Sequence, residues 1–204
     1  MTRWLGWVLA GGVIALLAGG CPMTTGIAGP GGGGSSSTVV PGGGSSDDTE
    51  GPPAGGGTDG DGTTTVLDCD VPDLAETWAA EVLQLVNEER AANGLAPVTA
   101  NATLTAQAEQ YACEMVYYDF FAHVNPVTGS TLPDRSEEFG YVYQVIGENL
   151  AAGPRTPSDV MTAWMNSEGH RENILDPRFT ELGVGVREGG EYDLYWVQEF
   201  GTPR

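Results

Sequence analysis

The split between a glycine-rich N-terminal third and a varied remainder constrains this fold more than any other feature. Of the 31 glycines in the 204 residues, 20 lie within the first 65. Residues 22–66 show no apolar periodicity, and a segment with nothing to bury cannot offset the entropy of ordering it. We therefore predict a disordered Gly/Ser/Asp-rich linker over residues 22–68 and one folded domain over residues 69–204, which is long enough for a real core.

The charge of the chain excludes two classes of partner. It carries 28 acidic side chains against 8 basic ones, and all 8 are arginine. Nucleic acids are bound by clustered Lys and Arg, and so are anionic lipid surfaces. A formal net charge of −20 therefore argues against both. Residues 71–204 hold 21 acids and 7 arginines, which favours cations as ligands.

Residues 1–21 have the layout of a secretory signal peptide. Arg3 is their only charge, and an apolar run from Trp4 to Ala18 follows it. The end of the segment resembles the lipobox of bacterial lipoproteins, although Ala18 stands where that motif usually has Leu. The resemblance implies lipidation of Cys21, and hence a membrane as a partner. Ordinary cleavage and a retained membrane helix stay open, since the run to Gly20 is near the lower limit for spanning a bilayer. We expect an extracytoplasmic protein that is lipid-anchored to a bacterial membrane or cell surface, or otherwise secreted.

Three cysteines are present, and assigning Cys21 to lipid leaves Cys69 and Cys113. In an oxidising compartment a disulfide between these two is the simplest interpretation, with two free thiols as the alternative. The bridge would close a loop of about 44 residues, worth about 4 kcal/mol on the chain-entropy model. Two cysteines so far apart, with only two histidines in the chain, do not favour a zinc-finger type of site.

Helical signals dominate the first part of the domain. Pro72 suits the first position of a helix, and Gly94 supplies its end. Asn101 is a candidate cap for a second helix, and Thr156 followed by Pro157 opens a third. The apolar positions recur at helical spacing in each case.

Strand signals dominate the end of the chain. Leu182 to Val186 alternates, Gly189-Gly190 marks a turn, and Tyr192 to Phe200 is rich in strand formers, which together predict a β-hairpin. An earlier strand is expected over residues 143–151. Helices followed by an antiparallel hairpin predict an α+β domain.

The two histidines of the chain each lie in a dense local pattern. His123 lies in the segment Phe-Phe-Ala-His-Val-Asn-Pro, and His170 lies in Trp-Met-Asn-Ser-Glu-Gly-His-Arg-Glu-Asn-Ile-Leu. Between them is Gly-Glu-Asn-Leu, which contains Glu148, and two later segments read Glu-Leu-Gly-Val-Gly-Val and Tyr-Trp-Val-Gln-Glu-Phe-Gly. In this order, over about residues 74–201, the segments resemble the CAP superfamily of cysteine-rich secretory, antigen 5 and pathogenesis-related proteins. The likeness is greatest to its bacterial SCP-domain branch.

The resemblance implies a fold and a site. The fold is a three-layer α-β-α sandwich with a small, mainly antiparallel sheet. The site is a cleft that commonly holds two His and two acids, with a divalent metal, often zinc, on the histidines. By motif, His123, Glu148 and His170 match three of these four residues. The second acid departs from the pattern, since many members have Glu where this chain has Ser167. Glu168 comes one residue later, and we favour a solvated carboxylate at a helix end for it over a residue that reaches the cleft.

The chemistry of these residues leaves several functions open. Neutral imidazoles are good zinc ligands, and a carboxylate such as Glu148 completes or orients the set. Asn149 and Gln198 are candidate cleft hydrogen-bonders, or they fix the backbone. We favour a non-enzymatic extracellular binding module for a small apolar ligand or a surface protein. The alternatives are a metal-dependent, peptidase-like hydrolase, with Glu148 as general base and His123 and His170 as ligands, or an interaction protein with a vestigial cleft.

Overall fold

The computed structural model describes residues 35–41, 57–58, 64–65, 67 and 69–204. All of them lie within one compact unit, Gly32–Arg204. The predicted signal peptide, the lipidation site at Cys21 and most of the predicted linker lie outside these residues. Among the helices that the structure describes, none combines the length and the apolar character needed to cross a bilayer.

Five helices and seven strands make up the described fold. The helices are α1 (Ala75–Ala92), α2 (Ala102–Tyr117), α3 (Leu132–Glu138), α4 (Pro157–Asn166) and α5 (Glu168–Ile174). The strands are β1 (Ser35–Pro41), β2 (Gly57–Thr58), β3 (Thr64–Thr65), β4 (Thr99–Ala100), β5 (Tyr143–Ala152), β6 (Glu181–Glu188) and β7 (Leu194–Pro203).

A five-stranded sheet organises the domain, in the order β1-β5-β7-β6-β4. Its neighbours are antiparallel except for the short β4, which pairs parallel with β6. The predicted C-terminal hairpin is confirmed as β6 and β7, with Gly189 and Gly190 in left-handed conformations at the turn. The predicted earlier strand is confirmed as β5. The short β2 and β3 pair with each other in a separate two-stranded ladder.

Each face of the sheet is covered by helices. The larger core cluster joins α1, α4 and α5 to one face, where Trp164, Trp196 and Phe200 are buried. A second cluster joins α2 to the other face through Tyr111, Tyr195 and others. Consecutive residues of β7 alternate between the two clusters, as side chains of a strand must. The α+β class and the three-layer arrangement are thereby confirmed.

Two glycines set the distance between α2 and the sheet. A Cβ on Gly183 would overlap the main chain of Leu104, and one on Gly185 would overlap that of Ala108. The Gly-Val-Gly-Val run in β6 therefore lets the helix backbone lie directly on the strand. This close approach fixes where α2 presents its polar residues to the site described below.

Most predicted helix ends are confirmed. The Asn101 side chain accepts from the amides of Thr103 and Leu104, and the Thr156 hydroxyl accepts from the amide of Asp159. The prediction for Pro72 is wrong, because α1 begins at Ala75. The Pro72 carbonyl accepts from the Ala75 amide, so a turn intervenes before the helix.

The predicted disulfide is confirmed. Cys69 and Cys113 are bonded, with their Cα atoms 5.6 Å apart. The bridge ties the chain just before α1 to the middle of α2, which packs on the opposite face of the sheet. It therefore joins α2 covalently to the segment that leads into α1.

Three strands, β1, β2 and β3, depart from the expectation of a disordered linker over residues 22–68, and β1 is the longest of them. Residues 35–41 pair antiparallel with β5, from Ser35 opposite Ala151 to Pro41 opposite Val145. The run includes Thr38, Val39 and Val40, whose β-branched types favour strands. The physical reason is non-local, since the outer edge of β5 offers unpaired main-chain groups to any extended segment that reaches it.

Candidate functional site

The side chain of Glu148 lies at the centre of the site. It projects from β5 and is fully buried. One carboxylate oxygen lies 2.5 Å from Nδ1 of His123, and the other accepts from Nη2 of Arg135, also at 2.5 Å. Both oxygens are therefore engaged, by two side chains from different segments.

The loop that carries His123 is held from both sides. The Tyr111 hydroxyl donates to the carbonyl of Ala122 at 2.6 Å, and Arg135 donates to the carbonyl of His123 at 3.2 Å. The buried Asn125 closes a turn by accepting from two following amides, and its own amide donates to Glu114 of α2. The His-Val-Asn-Pro segment thus fixes the position of the imidazole.

The hydrogen bond to Glu148 selects one tautomer of His123. Since Arg135 already neutralises the Glu148 carboxylate, a neutral imidazole that carries its proton on Nδ1 satisfies this contact. Nε2 is then a bare lone pair. It is buried and has no hydrogen-bond partner among the residues that the structure describes.

Arg135 comes from α3, a helix that begins with a capping box. The Thr131 hydroxyl caps the Asp134 amide, and the Asp134 carboxylate accepts from the Thr131 amide. The guanidinium lies 3.4 Å above the ring of Tyr111 and is 2% exposed. Burial alone would lower the pKa of Arg135, but the nearby Glu148 and Glu199 carboxyls raise it above its ordinary value, so this side chain stays charged.

A second acid, Glu199, lies opposite Glu148. The two residues are register partners on β7 and β5, and both are fully buried. The side chains of Glu148 and Gln107 are the polar neighbours of the Glu199 carboxyl. Burial, and then the Glu148 charge, raise the pKa of Glu199 well above its ordinary value, although Arg135 opposes them. Glu199 therefore favours its protonated, neutral form, in contrast to the paired carboxylate of Glu148.

Asn149 and Gln198 lie on the other face of the sheet. The Asn149 amide donates to the main-chain oxygen of His170 at 3.1 Å and to the Gln198 side chain at 3.0 Å. Asn173 of α5 donates to the Asn149 side chain and to the Glu148 carbonyl. All of these side chains are buried, and these contacts tie α5 to β5.

The structure therefore groups the predicted residues in two sets. It brings His123 and Glu148 into contact on the α2 face. It joins Asn149, Gln198 and the main chain of His170 on the α5 face, and the His170 side chain is itself 1% exposed. Adjacent positions 148 and 149 link the two sets through the β5 backbone. Among the described residues there is no group of three or more His, Cys, Asp and Glu side chains placed to hold a metal.

Glu168 does not supply the second acid of the site. Glu168 is exposed in the first turn of α5, and Ser167 precedes it as the N-cap. The buried partner acid of Glu148 is instead Glu199, which the sequence places within a strand motif. A charged residue inside the otherwise apolar run of β7 was the available signal. Arg135 was also missed, although Thr131 and Asp134 form a recognisable capping box before it.

This arrangement suits ligand capture by His123 better than base catalysis by Glu148. A general base needs a free oxygen within reach of the proton that it removes. Both Glu148 oxygens are engaged and buried, so such a role would require breaking an ion pair in the protein interior. The Nε2 lone pair of His123 is the one that its neighbours leave available, and a carboxylate on the other ring nitrogen is the usual way to orient a metal-binding histidine.

Comparison with known proteins agrees with this geometry. The profile of the cysteine-rich secretory protein family, CAP, matches residues 83–200, which include both histidines, Glu148 and Glu199. The chain belongs to the CAP family. Its relatives place it in the bacterial branch of that family. It is 41% identical over 129 residues to the uncharacterized protein YkwD of Bacillus subtilis, covering 63% of this chain and 49% of that protein.

Further relatives support the same assignment. The uncharacterized membrane protein YlbC of B. subtilis is 36% identical over 124 residues, which cover 61% of this chain and 34% of YlbC. The crystal structure of an extracellular SCP-domain protein from Bacillus anthracis matches with a TM-score of 0.59 at 31% identity, covering 64% of this chain and 43% of that one. An outer surface protein of Borrelia burgdorferi matches with a TM-score of 0.61 at 21% identity, covering 67% and 100%, which shows a shared fold. The chain spans half or less of the length of the two B. subtilis relatives.

Proposed function

We propose that this CAP protein is an extracytoplasmic binding module, tethered to a membrane through Cys21, whose cleft takes a divalent cation at His123. His170, whose main chain lies on the α5 face, is the candidate second ligand. The observation that carries the proposal is the state of His123. Its Nδ1 is held by the buried Glu148, and its Nε2 is buried without a partner among the described residues. A bare, pre-oriented imidazole nitrogen is what a zinc site requires of a ligand.

The donor set determines the expected strength of binding. His123 and His170 are the candidate ligands, and Glu148 orients the first of them rather than binding the ion. When bound, a zinc ion would supply open coordination positions to a ligand from outside. Because two imidazoles fall short of the four protein ligands of a structural site, we expect weak, exchangeable binding. The acidic domain surface favours the approach of cations generally.

The location rests on the leader segment and on a relative. Residues 1–21 have the pattern of a signal peptide with a lipobox-like end. The B. anthracis protein, at 31% identity, is described as extracellular. Fatty-acid labelling of the wild type and of Cys21→Ala tests the anchor. Label on the wild type and none on the variant is the expected result, and label on neither would remove the anchor from the proposal.

Zinc titration by calorimetry tests the cleft. We expect heat of binding for the full chain, weaker binding for His123→Ala and for His170→Ala, and none for the double variant. Glu168→Gln is the matched control, because this exposed acid lies close to His170 in sequence and removing it tests general attraction by charge. If the double variant binds zinc as tightly as the wild type does, the proposal is wrong. If only His123→Ala matters, the ion binds on the α2 face without His170.

A further inference from the structure

The outer edge of β5 is covered by a segment from far upstream. In the strand order, β1 is the strand that lies outside β5. Without β1, the edge of the sheet would be a strand in which every residue from Val145 to Ala152 is buried. Such a strand, with unpaired main-chain groups, is a template for pairing with any extended chain.

The covering segment, residues 35–41, lies far from the folded domain along the chain. Residues 31–34 and 42–44 are glycines on either side of it, and residues 42–68 separate it from Cys69. The described core clusters draw their residues from Ala75 to Phe200. The ladder to β5 joins Ser35–Pro41 to the sheet, and α5 lies against this strand.

We propose that the outer edge of β5 is a docking edge for an extended polypeptide, and that residues 35–41 are its occupant in cis. A partner segment of another protein takes the place of β1 by strand addition, through main-chain hydrogen bonds. The inference goes beyond the proposed function and requires no metal ion.

The chemistry of the occupant indicates that of the partner. The sequence Ser-Ser-Ser-Thr-Val-Val-Pro is uncharged, with small and β-branched residues. Residues 71–204 carry 21 acids and 7 arginines, so an acidic strand would be repelled from this domain. We assign the partner as an extended segment of small and β-branched residues without Asp or Glu.

The docked strand also lies beside the candidate site. Thr38 is the register partner of Glu148, and Ser37 is that of Asn149. These two β5 positions hold the α2-face and α5-face sets together. Exchange of β1 for a partner strand would therefore take place at the backbone that links His123 to α5.

Because β1 occupies the edge of β5 in cis, a partner strand must compete with it for the same main-chain groups. Because residues 42–68 connect it covalently to the domain, the segment has an effective concentration on the order of millimolar, and a partner in trans must outcompete it. Weakening the cis strand should then raise the affinity for a partner in trans.

The test uses the full chain, in EDTA, with a synthetic end-capped peptide of residues 35–41 as the probe. Thr38→Pro with Val39→Pro removes at least one ladder hydrogen bond, since alternate residues of a strand direct their amides to the neighbour. Ser45→Pro with Ser46→Pro is the matched control in the same glycine-rich segment. Replacement of residues 35–41 by alternating Gly and Ser is a second variant that weakens the strand without proline.

The expected result is that both strand variants bind the peptide about tenfold or more tightly than the wild type and the control do. Hydrogen exchange at residues 145–151 should rise in these variants and fall again when peptide is added, while near-ultraviolet circular dichroism shows a folded core. Equal peptide binding by all four chains, or binding by none, would overturn the proposal. Unchanged exchange in both strand variants would overturn it as well.

Discussion

Glu148 and Glu199 face each other on adjacent antiparallel strands, both without solvent exposure, yet among the described residues only Glu148 is paired closely with Arg135 and His123. Two buried carboxylates this close cannot both be charged at low cost. The structure resolves the conflict by giving Arg135 and His123 to Glu148 and leaving Glu199 protonated. One acid therefore acts as an anion that orients His123, and the other acts as a neutral neighbour.

The raised pKa of Glu199 predicts a pH dependence of stability. Because its pKa is higher in the folded state, the folded chain keeps a proton that the unfolded chain releases above about pH 4.3. Stability from this residue is present below that pH and is lost as pH rises toward the folded value. Glu199→Gln should remove this decline, so its advantage over the wild type should grow with pH in urea unfolding from about pH 4.5 to 8. Glu168→Gln is the exposed control, and parallel curves for Glu199→Gln and wild type would contradict the assignment.

The ion pair between Arg135 and Glu148 should matter far more than an exposed one. Arg135→Met leaves the Glu148 charge buried without its ion-pair partner, with only the hydrogen bond from His123 beside it among the described side chains, which should cost about 3–5 kcal/mol in the free energy of unfolding. Arg155 pairs with Asp193 at the same distance, 2.5 Å, but these side chains are 72% and 65% exposed. Arg155→Met should therefore cost less than about 1 kcal/mol. Similar losses for both substitutions, measured by chemical denaturation, would mean that the buried pair is not formed in solution.

The sequence could predict those structural features that depend on residues close together along the chain. Asn101 and Thr156 cap their helices through contacts two or three residues away, and both were predicted. The predicted helix start at Pro72 was wrong because proline is as well suited to a turn before a helix as to the first turn of the helix itself. The cross-strand position of Glu199, the reach of Arg135 and the docking of Ser35–Pro41 depend on long-range pairing, which no local pattern specifies.

Because α2 packs closely on β6, adding one methyl group at this contact should lower the free energy of unfolding substantially. Gly185→Ala places a Cβ against the Ala108 main chain, which cannot move without shifting the helix. We expect a loss of about 3 kcal/mol in the free energy of unfolding. Gly129→Ala is the matched control, because its φ of +78° strains an alanine but nothing lies within 4 Å of the added atom. That change should cost about 1–2 kcal/mol, and a smaller loss for Gly185→Ala than for Gly129→Ala would refute close packing.

The disulfide should supply a large share of the stability. Its 44-residue separation corresponds to about 4 kcal/mol on the chain-entropy model. Cys69→Ser with Cys113→Ser should lower the midpoint of thermal unfolding and the free energy of unfolding accordingly. Wild-type protein treated with reductant should approach the variant, and a change below about 1 kcal/mol would show that the bridge adds little in solution.

The proposed metal binding depends most on the protonation state of the two ring nitrogens of His123, which nitrogen NMR measures directly. The chain has only two histidines, so a long-range proton–nitrogen spectrum of the imidazoles resolves each of them. We predict that His123 carries its proton on Nδ1, with a bare Nε2 that shifts when zinc is added, along with a ring nitrogen of His170. A proton on Nε2 of His123, or an unchanged spectrum with zinc, would contradict the account.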